Sequence, residues 1–214
     1  NLQTESLRYF SKMKKQSCKI KPFSEVTEFH GHICPGTALG YKAAELALKK
    51  LAADKSSDEE LVAIVENDSC AVDAIQVTTG CTFGKGNLIF RDYGKQVYTF
   101  INRATKKAIR ISLNDSFSID KIDPSIYHIR RKVHLNKASK EDLAILDSSI
   151  LNVSDKIIKM PSEKIFNSKF VEVEIPDKAK IFESITCSEC GEMVSSNRII
   201  KKDDSKICIP CSKI

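Results

Sequence analysis

The sequence predicts an α+β fold: a mixed helix and sheet core followed by a small C-terminal domain of zinc-ribbon or treble-clef type, built on four cysteines. Three observations carry this prediction. Helical and strand patterns mix along the chain without a clean βαβ alternation, which disfavours a doubly wound sheet. Two CxxC pairs, CSEC at 187–190 and CIPC at 208–211, stand near its end. The 214 residues, 42% hydrophobic and 29% charged, describe a globular chain with room for one good core and a small appended module. We expect a core over residues 1–180 and a finger over 181–214, with the boundary near 176–184.

The elements follow in order. LRYFSKMKK and SEVTEF read as short helices. From Pro35 to about Ala53, the residues Leu39, Ala43, Leu46, Ala47 and Leu51 recur at helical spacing. ELVAIVEN (60–67) is a compact apolar run rich in β-branched residues, which predicts a buried strand. CAVDAIQVTTG reads as a short helix closed by Gly80. NLIFRDYG and KQVYTFIN alternate about a turn containing Gly94 and predict a β-hairpin, with KKAIRISL as a third strand. Residues 125–160 carry a helical pattern in which Ser139 suits an N-cap and Leu143, Leu146, Ile150, Val153 and Ile157 mark the buried stripe. SKFVEVEIP is a further strand, ended by Pro176.

The net charge of +6 is dispersed. Lys12, Lys14, Lys15, Lys19 and Lys21 crowd the first segment, and Arg130, Arg131 and Lys132 form a second knot. Such runs read as solvated helix faces. No stretch approaches the roughly 18–20 apolar residues of a membrane span, and the first residues show no apolar signal core. A cytoplasmic protein without a membrane partner is expected.

Eight cysteines divide into two groups. Cys187, Cys190, Cys208 and Cys211 form the two terminal pairs, separated by seventeen residues. Each pair presents two thiolates from a tight turn, and four sulfurs close a tetrahedral zinc site with no position left for substrate. That zinc is structural: so short a segment has too little apolar surface to fold alone. Two redox-active CxxC pairs without metal are the alternative. Between Glu183 and Ile214, five basic residues balance five acidic ones and no aromatic residue occurs, so a nucleic-acid partner is disfavoured. A protein-contact or dimer-bracing role suits the tail better.

Cys18, Cys34, Cys70 and Cys81 are scattered, and without a secretion signal a disulfide framework is not expected. In FHGHICPG, Pro35 suits the first helical position and places Cys34 at the N-cap, where Ser, Thr, Asp or Asn is usual. A position that breaks a local rule invites a functional reading. A helix N-terminus also stabilises a thiolate. In an extended segment His30, His32 and Cys34 point the same way and converge on one ion; if His30 belongs to the preceding helix, that convergence fails. The plainer alternative is one capping histidine and one surface histidine. Cys70 follows a buried strand and Cys81 follows a helix-closing glycine, so both stand at element ends, where sites assemble. Asp73 and Gln76 lie between them, placed to orient ligands from behind. GCTFGKGN (80–87) is not a phosphate loop: three residues instead of four separate the glycines, and Gly86 stands where Ser or Thr would hold Mg²⁺. Lys85 is left to meet an anion or carboxylate beside the site. His128, His134 and Cys18 read as bystanders.

FHGHICPGTALGYKAA (29–44), ENDSCAVDAIQVTTGCTFGKGNL (66–88) and RDYGK (91–95), with the CSECGE…CIPC tail, resemble the FmdE family: the FmdE component of molybdenum formylmethanofuran dehydrogenase and its stand-alone relatives. The resemblance implies an α+β core, a C-terminal zinc finger in the longer members and a tight homodimer. It also implies a His/Cys cavity, matched here by His32, Cys34, Cys70 and Cys81 with His30 adjacent. The named enzyme interconverts carbon dioxide plus methanofuran with formylmethanofuran, on a molybdopterin and iron–sulfur clusters carried mainly by its other subunits. Nothing in this chain offers a pterin fold, and its cysteine spacing is not that of a cluster ferredoxin. Three functions follow. The first is a metal-binding accessory or subunit of a molybdenum or tungsten oxidoreductase, with a second transition metal in the core besides the tail zinc. The second is a thiol-dependent enzyme with Cys34 as nucleophile and His32 or Cys81 as partner. The third is a zinc-finger adaptor or regulator.

Overall fold

The computed structural model describes residues 20–202 and 204–213, and the chain divides into two compact units, one ending at Asp177 and the other beginning at Lys178. The expected opening helix LRYFSKMKK and Cys18 lie outside the described residues.

In the first unit, α1 (Phe23–His30), α2 (Pro35–Leu51) and α3 (Ala71–Thr79) bracket β1 (Leu61–Val65) in sequence. Then come β2 (Leu88–Phe90), β3 (Val97–Asn102), β4 (Lys107–Leu113), α4 (Ile119–Ile122), α5 (Ser125–His134), α6 (Lys140–Lys159), α7 (Ser162–Ile165) and β5 (Phe166–Val171). The five strands form one sheet in the order β2-β1-β3-β4-β5. Only β1 and β2 run parallel, linked through α3 as a single βαβ unit; the other pairings are antiparallel.

The hairpin expected around Gly94 does not form. β2 pairs with one edge of β1 (Ala63 opposite Leu88) and β3 with the other (Ala63 opposite Phe100). The intervening RDYGKQ segment wraps the end of β1: Arg91 N–H donates to the Val65 carbonyl, and Lys95 N–H to that of Glu66. Alternation identifies strands but not their partners, and an all-buried β1 accepts a neighbour on each side. The hairpin that does form joins β3 to β4, where Asn102 Oδ1 accepts the N–H groups of Ala104 and Thr105.

Residues alternating along the strands split between two faces. Leu61, Ala63, Val65, Tyr98, Phe100, Ile109 and Ile111 join the main core with residues of α2, α3 and α6. Val62, Ile64, Ile101 and Ala108 form a smaller cluster with Ile89, Val171 and Ile175. Beside it, Arg110 grips the buried Glu66 carboxylate with both terminal nitrogens. The predicted helical stretch 125–160 is two helices, and Ser139 caps the second through a capping box with Asp142. Its stripe is buried at Val153 and Ile157, whereas Leu143, in the first turn, is exposed. The basic knot lies on α5: Arg130 and Arg131 are exposed, or nearly so, and Lys132 pairs with Asp142 at 2.8 Å.

Two glycines let α2 reach the first turn of α3. A Cβ added at Gly40 would stand 2.1 Å from the Ala71 carbonyl oxygen, and one at Gly36 would stand 3.0 Å from Cys70 Cβ. Backbone approach this close needs residues without side chains. It brings the N-termini of two helices together, and the cysteines that precede them.

The second unit holds two hairpins and a short helix: β6 (Ser184–Thr186) with β7 (Met193–Ser195), β8 (Ile199–Lys202) with β9 (Ser205–Cys208), and α8 (Ile209–Ser212). A cysteine turn, a hairpin and a helix beginning at the second cysteine pair make the treble-clef-like order. Its small apolar cluster is Cys187, Ile207 and Cys208, with Val194 and Cys211 against it.

Candidate metal centres

The core site begins with a turn. α1 ends at His30, and Gly31 takes the left-handed conformation (φ 88°), its N–H donating to the Thr27 carbonyl. That reversal lays His32 over His30, with ring centroids 4.4 Å apart. Cys34 then opens α2 from an extended conformation. His30 is helical, the case in which the extended-strand argument for convergence fails. Yet one donor atom from each of His30, His32 and Cys34 lies within 4.8 Å of the others. Gly31 achieves by a tight turn what alternation was expected to achieve.

Two of the donors are held from behind. His30 Nδ1 donates to Asp73 Oδ2 at 2.7 Å, and Gln76 Nε2 donates to Asp73 Oδ1 at 3.4 Å. A carboxylate only accepts, so the proton sits on Nδ1 and Nε2 keeps its lone pair. That Nε2 is buried and has no hydrogen-bond partner. Cys34 acts as the predicted N-cap: its Sγ accepts the Thr37 N–H at 3.4 Å, while Thr37 Oγ1 accepts the Cys34 N–H at 3.3 Å. Two imidazoles and a thiolate around a buried, unpartnered lone pair form a donor set that suits a transition metal such as Zn²⁺. The carboxylate behind His30 is the usual support of a ligating histidine.

Cys70 stands beside this group, at the start of α3. Burial pushes its thiol up, and the charge of Cys34 and a hydrogen bond shared with it push the same way, so Cys70 keeps its proton next to the Cys34 sulfur. Cys70, His30 and Asp73 also line a cleft of about 320 Å³ floored by Val65, Leu88 and Phe90. This cleft opens at the carboxyl ends of β1 and β2, the place where parallel strands ordinarily present ligand sites.

Cys81 is not brought to this place. It follows Gly80 at the far end of α3, whose nine residues put roughly 13 Å between its ends. There Cys81 is fully buried in the main core, its N–H donates to Thr79 Oγ1, and burial pushes its thiol up to about 11. A strand end and a helix end look alike in sequence, but they are opposite poles of one helix. Lys85 is at that pole too, its Nζ 3.5 Å from the Ser56 carbonyl oxygen. His128 and His134 are exposed on α5 and belong to neither group of converging ligands. Two contributors escaped the sequence reading. Thr37 completes the cap of Cys34, and an N-cap followed three residues later by a hydrogen-bonding side chain was a readable signal. Asn67 forms the turn into α3, accepting from Ser69 N–H and Oγ–H while donating to the Lys95 carbonyl. The string NDS before a helix is the corresponding signal.

In the tail, Cys187, Cys190, Cys208 and Cys211 place their sulfurs within 4.8 Å of one another. Gly191 (φ 75°) turns the first knuckle, donating its N–H to the Cys187 carbonyl. The backbone N–H groups of Cys190 and Cys208 lower Cys187 to about 6, whereas a hydrogen bond with Cys208 and crowding by the other sulfurs push Cys211 up to about 12. One thiolate among proton-holding thiols is the arrangement a cation completes by displacing the remaining protons.

A family model described as FmdE, Molybdenum formylmethanofuran dehydrogenase operon, matches residues 29–167. A protein of Archaeoglobus fulgidus named "Probable S-adenosyl-L-methionine-binding protein" is 33% identical over 209 residues, which are 95% of this chain and 56% of the relative. The chain thus spans about half the length of that relative. The crystal structure of an FmdE-like protein of tungsten formylmethanofuran dehydrogenase, from Syntrophus aciditrophicus, shares the fold, with a TM-score of 0.54 at 22% identity, over 92% of this chain and 96% of that one. Among the described residues no helix is long and apolar enough to cross a membrane. The family match covers well over half the sequence and includes the turn, both helix N-termini and the cleft: the chain belongs to the FmdE family.

Proposed function

We propose that this chain is a metal-binding accessory protein or subunit of a molybdenum or tungsten oxidoreductase. Its core (1–180) holds a transition metal on His30, His32 and Cys34 with Cys70 adjacent, and its finger (181–214) holds a structural zinc on Cys187, Cys190, Cys208 and Cys211. The observation that carries the core reading is His30: Asp73 fixes its Nδ1 proton, and the opposite nitrogen is buried without a partner. A buried lone pair left unmatched costs free energy on the order of 1–3 kcal/mol, which a cation would recover.

A bound metal would supply Lewis acidity or redox capacity at the edge of the cleft. The chain's own residues do the rest. Asp73 and Gln76 orient His30, the Thr37 N–H steadies the Cys34 sulfur, and Cys70 keeps a proton beside it. A cytoplasmic homodimer belongs to the same proposal. Elemental analysis of the full chain tests it: the wild type is expected to carry two metals per chain, and Cys34→Ser and His30→Ala one. One metal per chain in all three defeats the reading.

The contact between Cys34 and Cys70 favours a second reading, thiol chemistry at Cys34 with Cys70, in place of the more distant Cys81, as its partner. It is distinguished by alkylation: rapid, selective labelling of Cys34 in metal-free protein supports it, and loss of that labelling on metal binding supports the first.

A further inference from the structure

Asp73 stands between two partners, and the second of them reaches further. The Gln76 amide donates from Nε2 to Asp73 Oδ1, while its Oε1 accepts the backbone N–H of Phe83 at 3.3 Å. The amide cannot be reversed. Turned over, it would set its oxygen against a carboxylate oxygen and its NH₂ against an N–H donor. One side chain therefore ties the loop after α3 to the carboxylate behind His30.

That loop is a closed structure. Thr82 N–H donates to Asn87 Oδ1 (2.9 Å), Gly86 N–H to the Phe83 carbonyl (3.0 Å) and Lys85 N–H to Thr82 Oγ1 (3.3 Å). It presents Phe83 to solvent, 79% exposed, over a backbone N–H that points inward to Gln76. Gln76 lies one turn beyond Asp73 on α3, so the two side chains share a face. Without Gln76, the half-exposed Asp73 keeps one fixed oxygen and is free to swing about it.

We propose that Gln76 is a positioning residue for the core centre: through Asp73 it holds the ring of His30, and it makes that hold depend on the 81–87 loop. The inference rests on the core being a metal site. Anything that displaces the Phe83 backbone breaks the Gln76 bond, loosens Asp73 and weakens the metal without touching a ligand.

The test uses the full chain with one equivalent of Zn²⁺ in the tail, titrated with Co²⁺ and read by the ligand-field and thiolate-to-cobalt absorption bands. The wild type is expected to take up one Co²⁺. Gln76→Met, which loses both bonds, is expected to bind about tenfold more weakly with shifted bands, within the 10–100-fold usual for groups behind a ligand. Gln76→Glu keeps the acceptor for Phe83 but not the donor to Asp73, and should weaken binding at least as much. Phe83→Ala keeps the backbone N–H and should match the wild type. Wild-type affinity and bands in either Gln76 variant overturn the proposal, as does a Phe83→Ala loss equal to that of Gln76→Met. A wild type that takes up no Co²⁺ in the core overturns both this and the metal-site reading. A wild-type site unmoved by Gln76→Met overturns this alone.

Discussion

Gly40→Ala puts a methyl group where the backbone of Ala71 already lies. The added carbon would stand 2.1 Å from the Ala71 carbonyl oxygen, 2.6 Å from its Cα and 2.7 Å from its carbonyl carbon. Ordinary contact begins near 3.4 Å, so the first turn of α3 must recede by more than 1 Å from α2. All three atoms are backbone, and none can turn aside as a side-chain tip would. Overpacking of this kind costs about 1–3 kcal/mol, and a backbone obstacle belongs at the upper end. Alanine in a helix returns about 1 kcal/mol relative to glycine. The net loss should be about 2 kcal/mol, read as a lower urea midpoint for the core transition in far-ultraviolet circular dichroism. Because Cys70 and Asp73 ride on the displaced turn, Co²⁺ uptake in the core should fall as well. Gly84→Ala is the control: nothing lies within 4 Å of its added carbon, and its effect should stay within about 0.5 kcal/mol. If Gly40→Ala were as stable as the wild type or more so, helix propensity would have won and the close α2–α3 approach would be refuted.

Other expectations follow from single groups. Cys187→Ser should remove one metal per chain and the protease resistance of residues 178–214, since the second unit's small apolar cluster cannot hold it without the metal; a tail still resistant to proteolysis would contradict this. Burial alone would raise Glu60, but hydrogen bonds from the Asp58 N–H and the Ser56 and Ser57 hydroxyls bring it down to about 2 from an ordinary 4.5. A depressed carboxylate contributes stability above its unfolded value and loses it as pH falls through the folded one. The wild type should therefore lose stability between about pH 4.5 and 2, and Glu60→Gln should flatten that window in acid titrations of the urea midpoint. Equal slopes would show that Glu60 is not held as described. Cys81, fully buried and pushed up to about 11, should resist iodoacetamide at about pH 8 in the native protein and react only on unfolding; early labelling there, by peptide mass analysis, would mean that the core opens.

Local rules wrote much of this molecule where one element suffices to express them. Apolar spacing located α2, β1 and α3, and the Cys34–Pro35 cap was readable because it depends on three consecutive residues. The grouping of the tail cysteines was legible for the same reason, each pair being a turn. Failures came where a second element had to be known. β2 and β3 are adjacent in sequence and read as partners, although β1 lies between them. Leu143 fits the helical period, but α6 at that turn has outrun what covers it. Cys81 reads as a neighbour of Cys70 because both stand at element ends, yet a whole helix separates them.

By itself, then, the sequence determined which residues are helical or extended, that four terminal cysteines come in two turns, and that HGHICPG breaks the usual capping rule. Those properties depend on backbone sterics and on neighbours a few positions away. The tertiary structure decided which histidine nitrogen is held and which is left bare, which cysteine neighbours Cys34, and that the cleft opens where β1 and β2 end. Those depend on how closely two helices pack and which way each strand runs. Here a glycine at position 40 and a left-handed glycine at 31 settle the geometry, and their consequences fall some thirty and forty residues along the chain.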